Sequence, residues 1–89
     1  MRKTLYSRQS RLVCDTLKQI REKAGLTQRE LCKLLGREHS FVSKYELGER
    51  RIDLAEFYWI CRACGANAET EARKIVKGFA TMEMSRVAN

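Results

Sequence analysis

Apolar residues recur along this chain at helical rather than strand spacing. Val13, Leu17, Ile20 and Ala24 follow an i, i+4, i+7, i+11 pattern, which predicts a first helix from about Arg8 to Ala24 with one core-facing stripe. A second helix is predicted from Thr27-Gln28-Arg29-Glu30, where Thr27 caps and Glu30 returns the bond as a capping box. Leu31, Leu34 and Leu35 form its apolar face, and Gly36 ends it. A third is predicted from about Glu38 to Leu47, stopping at Gly48. The fourth opens with another capping box, Asp53-Leu54-Ala55-Glu56, and continues through Phe57, Ile60, Cys61 and Cys64. The fifth follows Asn67 and reaches about Met84, with Ala72, Ile75, Val76, Phe79 and Met82 on one face.

Gly25, Gly36, Gly48 and Gly65 fall between these segments, where left-handed caps are expected. With no proline, no strand-like alternation and no repeat, the pattern predicts an all-α fold. Residues 1–7 read as a mobile basic arm, 8–66 as the core, and 67–89 as a C-terminal helix that fits two uses, core cover and dimer seam; Ser85 to Asn89 are expected to fray. Trp59 follows Phe57 and Tyr58, and three aromatics in a row on a helix must expose at least one, which would suit self-association.

Composition narrows the class. Eighty-nine residues suit one domain. A hydrophobic content of 44% is too high for a disordered chain. No apolar run approaches the ~20 residues of a spanning helix. Met1 to Tyr6 is basic without an apolar segment behind it, so a soluble, cytoplasmic protein without membrane contact is expected. Eighteen Lys and Arg against eleven acids give +7, which favours polyanion partners, nucleic acid before anionic membrane.

Of the four cysteines only Cys61 and Cys64 are close, and Cys14 and Cys32 stand apart. A structural zinc site usually needs two such pairs, so packed thiols are favoured over metal, and no cofactor is expected. A single His, no base matched to a nucleophile, no metal set and no glycine-rich phosphate loop argue against an enzyme.

Leu26 to Glu46 carries the function. Two short helices joined by a glycine turn need a small residue at their approach and apolar residues where the second meets the first. Cys32 is the small residue, Gly36 the turn, and Val42 and Tyr45 the inward face. The opposite side presents His39, Ser40, Ser43 and Lys44, hydrogen-bonding groups suited to the edges of the major groove.

Gly25-Leu26-Thr27-Gln28, Leu34-Leu35-Gly36, Ser40-Phe41-Val42-Ser43-Lys44-Tyr45-Glu46 and Gly48-Glu49-Arg50-Arg51 stand in order and spacing. Over about Leu17 to Cys64 the chain thereby resembles the phage repressor and Cro-type (XRE-like) helix-turn-helix family. The resemblance implies a compact five-helix, lambda-repressor-like domain, a transcriptional regulator that binds a near-palindromic duplex DNA operator as a homodimer. It implies that His39, Ser40 and Lys44 contact base edges. It places Gln28, Ser43, Arg50 and Arg51 on the sugar-phosphate side, with Gln28 also bracing the first recognition-helix residue. An Arg21–Glu46 ion pair is implied between the first and third helices, aiming Arg21 toward the backbone. His39 stands where many relatives have glutamine, and Glu38 where proline or a hydroxyl residue is common. A histidine lacks the bidentate adenine contact of glutamine, so a different base preference is expected.

Each assignment has a plainer rival. His39 and Lys44 can be solvated surface residues, and Lys44 suits phosphate as well as base. Phe41 can touch a thymine methyl or pack at the core edge. Arg50 and Arg51 follow the recognition helix directly, which favours phosphate over idle charge. The rival for the whole chain is an antitoxin-like DNA-binding protein that also masks a partner toxin.

Overall fold

The computed structural model describes residues 3–88, with side chains described for residues 7–84. Five helices follow in order: α1 (Lys3–Lys23), α2 (Gln28–Leu35), α3 (Phe41–Glu46), α4 (Leu54–Ala63) and α5 (Ala68–Ala88). The long α1 and α5 pack on each other and on α4, while α2 and α3 pair and rest on α4 and α1 respectively.

Local chemistry sets the helix ends. Thr27 accepts from the Glu30 N–H at 3.1 Å while the Glu30 carboxylate accepts from the Thr27 N–H at 2.8 Å. Asp53 and Glu56 make the same reciprocal pair at the start of α4, at 2.7 and 3.0 Å. The four glycines expected as stops all have φ between 66° and 81°. At Gly36 this left-handed turn lets the Arg37 N–H reach back to the Cys32 carbonyl at 3.0 Å, which closes α2.

The core gathers Leu17 and Ile20 of α1, Leu31 and Cys32 of α2, Phe41, Val42 and Tyr45 of α3, Phe57, Ile60 and Cys61 of α4, and Ile75 of α5. At Gly78 of α5 a Cβ would stand 2.7 Å from Leu12 Cδ2 of α1, so a side chain there would require Leu12 to shift.

Several boundaries and faces differ from the sequence expectation. α1 begins at Lys3, so residues 3–7 are helical where an arm is expected, and Ala24 lies in the exposed turn beyond it. Residues 1 and 2 of that arm fall outside the described residues. α5 continues to Ala88, past the expected end at Met84. α3 is shorter than expected, and His39 and Ser40 form a turn ahead of it, with the Phe41 N–H bonded to the Glu38 carbonyl at 3.0 Å.

In α2, Leu34 is 60% exposed while Cys32 is buried in its place. At 100° per residue, Leu31, Cys32 and Leu35 share one arc, and Leu34 lies roughly 110° from its centre. On α5 the stripe divides the same way. Ile75 is buried and Phe79 and Met82 are half-buried, but Val76 is 62% exposed. Of the three successive aromatics, Phe57 turns inward while Tyr58 and Trp59 turn out, stacked edge-to-face.

Candidate nucleic-acid interface

α3 is short, six residues, and its orientation depends on what grips its two ends. Val42 and Tyr45 are fully buried in the core cluster that also holds Leu31 and Cys32 of α2, the helix that α3 pairs with. The far end is fixed by Glu46, whose carboxylate lies inside the protein. It accepts from Arg21 Nε at 2.7 Å and Nη2 at 3.1 Å, and from Gln28 Nε2 at 2.8 Å. The remaining Arg21 nitrogen donates to the Leu26 carbonyl at 2.8 Å. Arg11 of α1 donates to the Glu46 backbone carbonyl at 2.8 Å, placing a cation at the C-terminal end of α3. The bond to Glu46 raises the Arg21 pKa further. One carboxylate therefore ties α1, the start of α2 and the end of α3.

This arrangement revises two expectations carried by the resemblance. Arg21 is 9% exposed and all three of its nitrogens are bonded inside the protein, so it orients α3 instead of reaching outward. Gln28 braces Glu46 at the far end of α3, and not His39 at its start. The reason is common to both: a buried carboxylate is tolerated only with its oxygens fully partnered.

The outward side carries the remaining candidates. His39 and Lys44 are exposed, and neither makes a side-chain hydrogen bond or ion pair among the described residues. Ser40 and Ser43 are half-buried, and the Ser43 hydroxyl donates to the Ser40 carbonyl at 3.1 Å. Arg51 is exposed, and Arg50 is half-buried. His39, Ser40, Ser43 and Lys44 share one helical arc, which also carries the exposed Leu47, and Arg50 and Arg51 follow in the loop after α3.

At the leading end of α3 lies a cluster that the sequence pattern does not reveal. Phe41 is 2% exposed, so it packs inward, edge-to-face on Tyr45 at 5.4 Å. Arg37 and Arg50 lie over its ring, 4.0 and 4.8 Å from the centre. Glu56 holds both: Arg50 donates at 3.1 and 2.9 Å, and Arg37 at 3.2 Å. The bonds from Arg50, then the Asp53 N–H and Arg37, hold the Glu56 carboxyl down at about 2, against the opposing effect of burial. Arg37, Glu56 and Arg11 enter the site only through tertiary contacts. Their roles depend on partners 19, 6 and 35 positions away.

Cys14, Cys32 and Cys61 are buried and Cys64 is half-buried, all as free thiols. Burial pushes the Cys61 thiol up to about 11 and raises that of Cys64, which keeps them protonated and unreactive near neutral pH. No group of three or more His, Cys, Asp or Glu among the described residues is placed to hold a metal. No helix among them is long and apolar enough to cross a membrane.

Comparison with known proteins agrees with this geometry. A family model described as a helix-turn-helix domain matches residues 14–74. An XRE-family like protein from Pseudomonas syringae pv. tomato str. DC3000 is 40% identical, with a TM-score of 0.79 over 84% of this chain and 92% of that one. The clp gene regulator ClgR from Corynebacterium glutamicum shares the fold at 19% identity, with a TM-score of 0.70 over 90% of this chain and 85% of that one. No curated protein matches the chain.

Proposed function

The chain belongs to the XRE-like helix-turn-helix DNA-binding family, a non-catalytic one, and from that premise we propose that it is a sequence-specific transcriptional repressor. The observation that carries this reading is the outward arc of α3, held in place by the buried Arg21–Glu46–Gln28 tie and left unpartnered at His39 and Lys44. In the major groove, His39, Ser40 and Lys44 read base edges, while Ser43, Arg50, Arg51 and the Gln28 end of α2 meet the sugar-phosphate backbone. Arg21 acts through Glu46. A small protein seated on a promoter represses by occupying it.

The protein acts as a homodimer with the two recognition helices about 34 Å apart, one turn of duplex. Support comes from the apolar surface at the start of α4 and along α5. Leu54 is 78% exposed and Val76 62% exposed, and they flank a groove floored by Phe57 and Phe79. A second copy seated there covers both.

The test is selection of bound sequences from a random duplex pool at low salt, with stoichiometry measured on the winner. A near-palindromic consensus bound by two chains is expected. No enrichment over the starting pool would refute the proposal.

A further inference from the structure

Arg37 and Arg50 are more than two surface cations. Arg37 comes from the turn after α2 and Arg50 from the loop after α3, and the two guanidinium groups converge on one aromatic ring. Two like charges held this close repel unless something compensates. Glu56 compensates by bonding to both, which leaves one net positive charge over the three side chains. The pair is therefore ordered before any ligand arrives, so binding costs it little side-chain freedom.

The arginines are anchored but not used up. Their side chains keep 39% and 37% exposure. Arg37 spends one nitrogen on Glu56, and its other N–H groups have no partner among the described residues. A planar, weakly hydrated fork of N–H donors matches the oxygens of a phosphodiester better than a lysine would. The position fits as well. Phe41 is the first residue of α3, so the cluster sits at the leading end of the recognition helix, two residues from His39. A helix lying in the major groove has a sugar-phosphate strand along each flank.

We propose that Arg37 and Arg50, layered on Phe41 and anchored by Glu56, form a preorganised site for a backbone phosphate of the bound duplex. The proposal rests on the DNA-binding reading above and adds a ligand site to it.

The experiment compares duplex binding by the parent protein, Arg37→Gln and Lys74→Ala between 50 and 200 mM salt, with folding followed separately by circular dichroism. Arg37→Gln loses the charge and keeps a polar side chain at the position. Its log–log salt slope is expected to be shallower by about 0.9, the value of one phosphate contact. Its loss of affinity should be equal on the selected operator and on random duplex. Lys74→Ala, on α5, should keep the parent slope. A folded Arg37→Gln with the parent slope overturns the proposal and leaves the cluster as a cover for Phe41. Should Arg37→Gln not fold, Arg37→Lys decides: the slope should be kept while affinity at fixed salt drops about fivefold, a cost of ~1 kcal/mol at RT ≈ 0.59 kcal/mol. Parent-like affinity of that variant also overturns the proposal. A parent protein that binds no duplex at any salt instead sinks the DNA-binding reading, and the phosphate site with it.

Discussion

Arg21 on α1 and Glu46 at the end of α3 meet fork to fork, Nε to Oε2 at 2.7 Å and Nη2 to Oε1 at 3.1 Å, with both side chains almost wholly covered. An exposed pair of this kind contributes no more than about 1 kcal/mol, but a buried one behaves differently when a single partner is removed. Arg21→Met leaves a buried carboxylate with only the Gln28 amide and should cost about 3–5 kcal/mol in urea unfolding. A loss below about 1 kcal/mol would mean that water reaches Glu46.

Tyr45 predicts the opposite sign. Its hydroxyl is fully buried and has no hydrogen-bond partner, and burial raises its pKa. Tyr45→Phe keeps the ring and its edge contact with Phe41 while removing an unsatisfied group. Stability should be unchanged or higher by up to about 1 kcal/mol, read from the urea midpoint. A clear loss would reveal a water or side chain bonded to the hydroxyl in solution.

Glu56 gives a pH signature. Its carboxyl is held at about 2 in the folded protein, chiefly by Arg50, against roughly 4.3 in an unfolded chain. A depressed folded value contributes stability above the unfolded value, and that contribution fades as pH falls through the folded one. The parent should therefore lose stability relative to Glu56→Gln between about pH 4.5 and pH 2. Thermal melts of both proteins at constant ionic strength check this, and parallel curves would contradict it.

The proposed reading roles separate by specificity. Lys44→Ala and His39→Ala should weaken the selected operator by about 1–3 kcal/mol and random duplex less. Arg51→Ala should weaken both alike. Titrations on the two duplexes distinguish the classes, and equal losses from all three variants on both would remove the assignments.

The apolar surface of α4 and α5 predicts an association defect. Val76→Lys or Leu54→Lys replaces an exposed apolar side chain and should give a monomer by sedimentation, with the fold kept. Binding to a palindromic operator should then fall on the order of 100-fold, because the second half-site no longer benefits from the first. A variant that stays dimeric moves the seam elsewhere.

Features governed by chemistry within one or two helical turns were legible in the chain itself. Both capping boxes, the left-handed glycines and the inward face of Val42 and Tyr45 follow from neighbours three to five positions apart. The Arg21–Glu46 tie, 25 residues apart, came only through family likeness. The pattern starts the third helix at Glu38, three residues ahead of the observed Phe41, because Glu38, His39 and Ser40 suit a helix start as well as a turn.

What tertiary structure decided concerns residues whose local setting is ambiguous. Ile75 and Val76 are adjacent and equally apolar, and the positions of α1 and α4 bury one and expose the other. Arg37, Arg50 and Glu56 read as three ordinary surface charges until the turn after α2 and the loop after α3 bring them onto one ring. The sequence alone determined a helical, basic chain with a helix-turn-helix between Leu26 and Glu46. Packing determined which cations face outward and which are consumed inside, because burial and partnering depend on distances that no local pattern encodes.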